Sequence, residues 1–78
     1  MPIYAYILVE TTKGKAWDVA DAISKMRDVF GVKNVHPVAG SFDVACYAEL
    51  PDLEALKRFV NTIHGIEWVL RTQTLIAM

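Results

Sequence analysis

The hydrophobic residues of this chain change their spacing along the sequence, and the order of those changes constrains the fold more than any other feature. Runs rich in β-branched and aromatic residues, typical of strands, alternate with two segments whose apolar residues recur at helical spacing. Strands are predicted at residues 3–10, 32–39, 42–49 and 67–77, and helices at residues 15–30 and 52–64. The order β-α-β-β-α-β predicts one α+β domain of the ferredoxin-like class, in which two helices cover one face of a four-stranded antiparallel sheet.

Glycine, proline and aspartate mark the predicted ends of these elements. Gly31 is placed to end the first helix in a left-handed conformation, and Asp52 is placed to cap the start of the second. Gly40-Ser41 has the form of a two-residue hairpin turn between the second and third strands. Pro37 cannot donate a backbone hydrogen bond, so the second strand is expected at an edge of the sheet or at a bulge.

Both faces of the predicted sheet are apolar. The two sides of the first strand carry Ile3, Ala5, Ile7 and Val9 on one, and Tyr4, Tyr6, Leu8 and Glu10 on the other. The pattern does not say which set faces the helices. A sheet with one face in water alternates between apolar and polar residues, and a domain this small leaves much of its surface uncovered. Because 54 % of the residues are hydrophobic, we predict that a second copy covers the helix-free face, as a two-fold dimer. The residues predicted for that interface are Tyr4, Tyr6, Leu8 and Trp68.

Charge and residue content exclude several functional classes. Eight basic and nine acidic residues give a formal net charge of −1, without the basic surface that nucleic-acid binding requires. Cys46 is the single cysteine, which excludes an internal disulfide and a cysteine-based zinc site, and its apolar neighbours predict a buried, unreactive thiol. No catalytic triad, carboxylate pair, phosphate loop or metal-ligand spacing is present, so we predict no enzymatic activity, no cofactor and no metal. The sequence shows no signal peptide and no membrane-spanning apolar run, which predicts a cytoplasmic protein without a membrane partner.

Polar residues near the predicted hairpin and in the last strand are the candidates for ligand binding. Asp43 has two interpretations: it satisfies turn amides, or it accepts from the ammonium of a ligand whose carboxylate contacts the N–H groups of the turn. Thr72 and Thr74 share one face of the last strand, either because threonine favours strands or because their hydroxyls line a pocket. His36, on the second strand, is placed to line a pocket near the hairpin. His64 is expected at the C-terminal end of the second helix, where a cation is favoured.

The sequence also resembles a known family over essentially its whole length. The resemblance rests on the order of elements, on the turn Gly40-Ser41-Phe42-Asp43, and on Gly65-Ile66 together with Thr72-x-Thr74 in the last strand. These features resemble those of the RAM domain, which is the effector-sensing domain of the Lrp/AsnC, or feast/famine, transcriptional regulators. Members usually carry an N-terminal helix-turn-helix domain. This chain starts at the first strand, so it resembles the stand-alone RAM-domain proteins, with residues 1–78 as a single domain.

The resemblance implies a non-catalytic module that binds a free amino acid and modulates transcription. It implies dimers whose sheets face each other as an α/β barrel, larger rings built from those dimers, and amino acids bound between dimers near the hairpin. From the apolar faces of the sheet and the hairpin, we further hypothesise that the module acts by co-assembling with full-length Lrp/AsnC regulators through the same barrel interface. The ligand residues implied by position are Gly40, Ser41, Asp43, Thr72 and Thr74. Members often have a small residue where this chain has Trp68, so we expect the indole to fill part of the pocket or to change the contact between dimers.

Two alternative functions share this order of elements. An ACT-type regulatory domain also senses amino acids, and it would place its ligand near the first strand–helix turn, Thr12-Lys13-Gly14. A dimeric α/β-barrel monooxygenase or haem-binding enzyme would hold its substrate between helix and sheet, with His64, Asn34 and Trp68 as the available side chains.

Overall fold

The chain forms one four-stranded antiparallel sheet covered on one side by two helices. The computed structural model describes residues 1–78. Its elements are β1 (Ile3–Thr11), α1 (Ala16–Ser24), β2 (Val32–Pro37), β3 (Val44–Leu50), α2 (Leu53–His64) and β4 (Val69–Ile76). The strands lie in the order β2-β3-β1-β4, and each adjacent pair is antiparallel. The ferredoxin-like α+β class predicted from the sequence is confirmed, with β2 at an edge as Pro37 indicated.

The structure decides which side of β1 faces the helices. Ala5, Ile7 and Val9 are fully buried at 0 % exposure, in one core cluster with apolar residues of α1 and α2. Tyr4 and Tyr6 point to the opposite side and keep 39 % and 48 % of their surface exposed. We call that opposite surface the open face; cross-strand register places in it Tyr4, Tyr6, Leu8, Ala45, Tyr47 and Leu75.

The first helix is shorter than the sequence predicts. It ends at Ser24, and residues 25–29 continue as turns. The Ser24 hydroxyl donates to the Ala20 carbonyl at 3.0 Å, a side-chain bond that competes with the backbone pattern of a helix. Met26 and Phe30 still pack against the core, so the apolar spacing persists beyond the helix, and the prediction of a helix to Phe30 was wrong.

Gly31 has a different role from the one predicted. It does not adopt a left-handed conformation. Instead its carbonyl accepts from the Glu49 amide at 2.8 Å, and a Cβ at position 31 would collide with the Glu49 carbonyl oxygen. A glycine is therefore required here because β3 approaches the backbone closely.

The connection between β2 and β3 is longer than a two-residue turn. It spans residues 38–43, which we call the hairpin segment, and the Val38 amide closes it by donating to the Asp43 carbonyl at 2.8 Å. The two-residue prediction was wrong because Asp43 is held by β1: its amide donates to the Val9 carbonyl at 2.9 Å. Gly40, at the tip, has φ +146°, a conformation that side chains rarely adopt.

Two smaller expectations are confirmed. The Asp52 carboxylate accepts from the Ala55 amide at 2.8 Å and caps α2. Cys46 is 3 % exposed, and burial raises the pKa of its thiol to about 12, so the thiol stays protonated and unreactive at neutral pH.

Neither helix has the length and apolar composition needed to cross a membrane.

Candidate functional site

The hairpin segment lies against the end of β1, and Asp43 makes the connection. The Asp43 carboxylate accepts from the Thr11 amide through Oδ2 at 2.8 Å, while the Asp43 amide donates to Val9. Thr11 follows an irregularity in the pairing of β1 with β4, and such bulges redirect backbone groups out of the ladder. Asp43 therefore satisfies a backbone amide of β1, whereas the structural interpretation expected an amide of the turn, and this contact fixes the orientation of its carboxylate.

The tip of the hairpin segment is exposed. Gly40 and Ser41 are in contact with water, and a Cβ at Gly40 would meet nothing within 4 Å. The glycine is therefore required for its backbone angle and not for lack of space. Backbone N–H groups at an exposed turn of this kind can donate to a carboxylate.

Arg71 of β4 also reaches the hairpin segment, a contact that no local sequence pattern indicates. Its Nε donates to Glu10 Oε1 at 2.7 Å, and its guanidinium carbon lies 4.8 Å from the centre of the Phe42 ring. The contact joins β4, β1 and the hairpin segment. The pairing of Glu10 with Arg71 across β1 and β4 indicates this contact. That pairing can be inferred only once the two strands are known to be neighbours.

Thr72 and Thr74 share the helix-covered side of β4, because they pair with Val9 and Ile7. The hydroxyl of Thr72 forms a hydrogen bond with His64 Nε2 at 2.8 Å, which links β4 to the last residue of α2. Thr74 opens onto a groove of about 350 Å³ between α2 and β4. The other residues that line the groove are Leu56, Lys57, Val60 and Asn61. The groove thus has an apolar floor with an amide, an ammonium and a hydroxyl beside it.

His36 lies elsewhere. It pairs with Ala45 and lines a shallow depression of about 190 Å³ on the open face, together with Tyr6, Asn34 and Tyr47. Since β2 and β4 are opposite edges of a four-stranded sheet, they are roughly 14 Å apart. One copy of the chain therefore does not bring His36 together with Thr74. Nor does it bring together the side chains available to an enzyme, because Asn34 faces this depression while His64 bonds Thr72 on the helix side.

The open face is dominated by three tyrosines. The rings of Tyr4 and Tyr47 lie 6.3 Å apart and nearly parallel at 13°, and Tyr6 approaches Tyr47 to 4.7 Å at a 50° tilt. Desolvation, followed by the nearby Tyr6, Tyr4 and Glu49, raises the pKa of Tyr47. Leu8 is half-buried on the same face. Aromatic surface of this extent on an uncovered sheet is typical of a contact surface.

Trp68 has an unusual backbone conformation. Its φ is +76°, a region that non-glycine residues rarely occupy. Its carbonyl accepts from the Thr12 amide at 2.8 Å, the Lys15 ammonium lies 4.4 Å from its ring centre, and the half-buried indole packs against the core. The indole therefore fills space between β4 and the start of α1, and a glycine at this position would adopt the same backbone angle at lower cost.

Comparison with known proteins adds a family and a set of similar structures. A family model described as the Lrp/AsnC ligand binding domain matches residues 4–78. A solved structure from Thermus thermophilus is 30 % identical with a TM-score of 0.88, over 97 % of this chain and 92 % of that one. A hypothetical protein from Pyrococcus horikoshii is 28 % identical with a TM-score of 0.85, over 97 % and 89 % of the two chains.

A longer protein shares the fold. A transcriptional regulator from Neisseria meningitidis, solved as a complex with L-methionine, is 22 % identical with a TM-score of 0.80, and this chain covers 49 % of its length. At that identity the similarity shows the fold alone. No functionally curated protein sequence matches this chain.

Proposed function

This chain belongs to the family of Lrp/AsnC ligand-binding domains, and on that premise we propose that it is a non-catalytic module that binds a free amino acid and assembles with copies of itself. The observation that carries the proposal is the placement of Asp43 beside the exposed Gly40-Ser41 tip, with its carboxylate already oriented by the Thr11 amide. A carboxylate next to the backbone N–H groups of an exposed turn complements the two charges of a zwitterion. The L-methionine bound by the similar Neisseria regulator belongs to the same chemical class.

Each end of the ligand has a partner in this arrangement. The backbone N–H groups of Gly40 and Ser41 donate to the amino-acid carboxylate. The ligand's ammonium donates to Asp43 Oδ1, since Thr11 engages Oδ2. Charge-assisted hydrogen bonds of this kind are about twice as strong as neutral ones, so both charges of the ligand contribute to affinity.

The ligand's side chain requires a second surface, which we assign to the groove beside Thr74. The groove and the hairpin segment share no lining residue. We therefore place the groove of a second copy, lined by Thr74 and next to Thr72, against the first copy's hairpin segment. The floor formed by Leu56 and Val60 suits the aliphatic part of a side chain. Ligand binding at such a seam favours the assembled state by its difference in affinity between the two assemblies.

The open face supplies the primary contact between copies. Pairing two copies of this face as an α/β barrel removes the tyrosines Tyr4, Tyr6 and Tyr47 and the aliphatic Leu8 from water. His36 then lies at the margin of the paired sheets. We assign residues 1–78 to a single domain that acts in transcriptional regulation by forming rings of dimers and by joining full-length Lrp/AsnC regulators through the same face.

A thermal-shift screen of the twenty free L-amino acids, with light scattering on each positive result, tests the proposal. A true ligand at a hundredfold excess over Kd adds about 2.7 kcal/mol, which raises the Tm of a domain this small by about 10–20 °C. Asp43→Asn removes the charge that pairs with the ammonium and should abolish the shift. Lys33→Gln alters a surface cation 56 % exposed at the far end of the sheet and should leave the shift intact.

Three outcomes contradict the proposal. The first is the absence of any shift with all twenty amino acids, and the second is a monomer at micromolar concentration by scattering. The third is a shift that survives Asp43→Asn but is lost when the Thr12-Lys13-Gly14 turn is altered. That last result would assign the ligand to an ACT-type site at the start of α1.

A further inference from the structure

We infer that Arg71 is a positioning residue for the hairpin segment: by joining Glu10 to the Phe42 ring, it holds residues 38–43 in the place where the ligand is bound. The consequence for ligand binding rests on the proposed function above. The positioning itself does not, and it has a test that needs no ligand.

The geometry places Arg71 where three elements meet. Its Nε lies 2.7 Å from Glu10 Oε1, and its guanidinium carbon lies 4.8 Å from the centre of the Phe42 ring. Phe42 stands between Ser41 and Asp43, two of the three residues of the hairpin segment that the ligand would contact. The guanidinium therefore connects β1 and β4 to the middle of the hairpin segment.

Arginine is suited to this double contact, and lysine is not. A guanidinium is planar, so one edge can donate to a carboxylate while its flat face lies on an aromatic ring. Arg71 is 57 % and Glu10 38 % exposed, and an ion pair so accessible to water contributes little alone. The ring contact distinguishes this pair from an ordinary surface ion pair, because it orders a segment that has few bonds of its own.

Three hydrogen bonds, none of them made by Arg71, hold the hairpin segment. They are Val38 N to Asp43 O, Asp43 N to Val9 O, and Thr11 N to Asp43 Oδ2, at 2.8, 2.9 and 2.8 Å. All three involve Asp43, at one end of the segment, and residues 38–41 are exposed. Without the contact to Phe42, the segment is held only at its two ends, Val38 and Asp43, and ligand binding has to offset the entropy lost on ordering residues 39–42.

Amide hydrogen exchange of the three donors, Val38, Asp43 and Thr11, tests the positioning in the ligand-free protein. Arg71→Gln should accelerate exchange at these amides by about threefold to tenfold, while the amides of the β1–β3 ladder stay unchanged. Lys33→Gln is the matched control, since Lys33 faces Glu49 at 3.9 Å in a cross-strand pair of similar exposure, far from the hairpin. Unchanged exchange in Arg71→Gln, or equal acceleration in Lys33→Gln, would overturn the inference.

Conservative variants separate positioning from charge alone. Phe42→Tyr keeps an aromatic face and should retain most of the protection, whereas Phe42→Leu should accelerate exchange as Arg71→Gln does. Arg71→Lys keeps the charge without the flat face, so it should behave like Arg71→Gln. If Arg71→Lys restores wild-type exchange, the charge alone positions the segment and the inference is wrong.

Titration with whichever of the twenty L-amino acids gives the largest thermal shift then measures the consequence. The Kd of Arg71→Gln should rise by about the same factor as its exchange rates, and scattering should show the wild-type assembly. If no amino acid binds the wild type, the proposed function fails, while the exchange data still decide whether Arg71 positions the hairpin. If exchange accelerates but the Kd is unchanged, the position of the hairpin does not matter for binding and the consequence is refuted.

Discussion

Both faces of the sheet carry many apolar residues, yet only one of them is covered within the chain. In β3, Cys46 and Tyr47 are consecutive residues that point to opposite faces. Cys46 is 3 % exposed beneath the helices, while Tyr47 is half-buried among other tyrosines on the open face. The hydrophobicity of a strand therefore does not by itself determine which of its side chains are buried. The two helices of a chain this short cover one face and leave the other face uncovered.

The largest expected effect comes from removing a large side chain on the covered side. Phe59 of α2 is 0 % exposed and its ring lies 5.1 Å from that of Phe30. Phe59→Ala should lower the free energy of unfolding by about 3–5 kcal/mol, through lost burial and the cavity left behind. Urea denaturation followed by circular dichroism measures this loss.

Trp17→Ala provides the comparison for that measurement. The Trp17 side chain is 78 % exposed on α1, so the same truncation of an aromatic residue should change the unfolding free energy by no more than about 0.5 kcal/mol. Equal losses for the two variants would mean that the covered side does not carry the stability.

A charge on the open face should affect assembly instead of folding. Tyr6→Glu places a carboxylate among Tyr4, Tyr47 and Leu75, where pairing with a second copy would desolvate it. The dissociation constant of the proposed dimer should rise about a hundredfold, equivalent to about 2.7 kcal/mol, with an unchanged circular dichroism spectrum. Sedimentation at several protein concentrations measures the constant.

Val29→Glu is the control for Tyr6→Glu. Val29 is 76 % exposed in the turns after α1, outside the sheet, so a carboxylate there should leave the association unchanged. A dimer that tolerates Tyr6→Glu would exclude the open face as the contact.

The last effect is absent at neutral pH, appears only in alkaline solution, and concerns the two neighbours in β3. Burial raises the pKa of the Cys46 thiol from 9.0 to about 12 in the folded chain. Because the folded-state pKa is the higher one, the contribution of the protonated thiol to stability is complete below pH 9 and is lost as the pH rises from 9 towards 12. Over that interval the unfolding free energy should fall by about 1.4 kcal/mol per pH unit from this group alone.

Denaturation of the wild type and of Cys46→Ala at a series of alkaline pH values checks this slope. Tyrosines and lysines titrate in both proteins, so the difference between the two curves isolates the thiol. Parallel curves would show that the folded chain admits a thiolate at position 46, contrary to the burial of this residue.

Some features of the fold and of the candidate site follow from local sequence. The spacing of apolar residues predicted the order of all six elements, and Asp52 predicted the cap of α2, because periodicity and capping depend on residues a few positions apart. The end of α1 was misjudged because Met26 and Phe30 keep the helical spacing after the helix has ended. The hairpin segment was predicted too short because Asp43 bonds to β1, a strand more than thirty residues earlier.

The pattern of residues along the chain is enough to predict the element order, the buried cysteine, the family resemblance and the excess of apolar residues on both sides of the sheet. Only the tertiary structure decided that Tyr4 and Tyr6 face outward while Ala5 and Ile7 face the helices. It also decided that Arg71 reaches Phe42 and that Thr74 opens onto a groove beside α2. The physical reason is that alternation along a strand defines two sides, whereas the packing of distant elements decides which side is covered and which side chains meet.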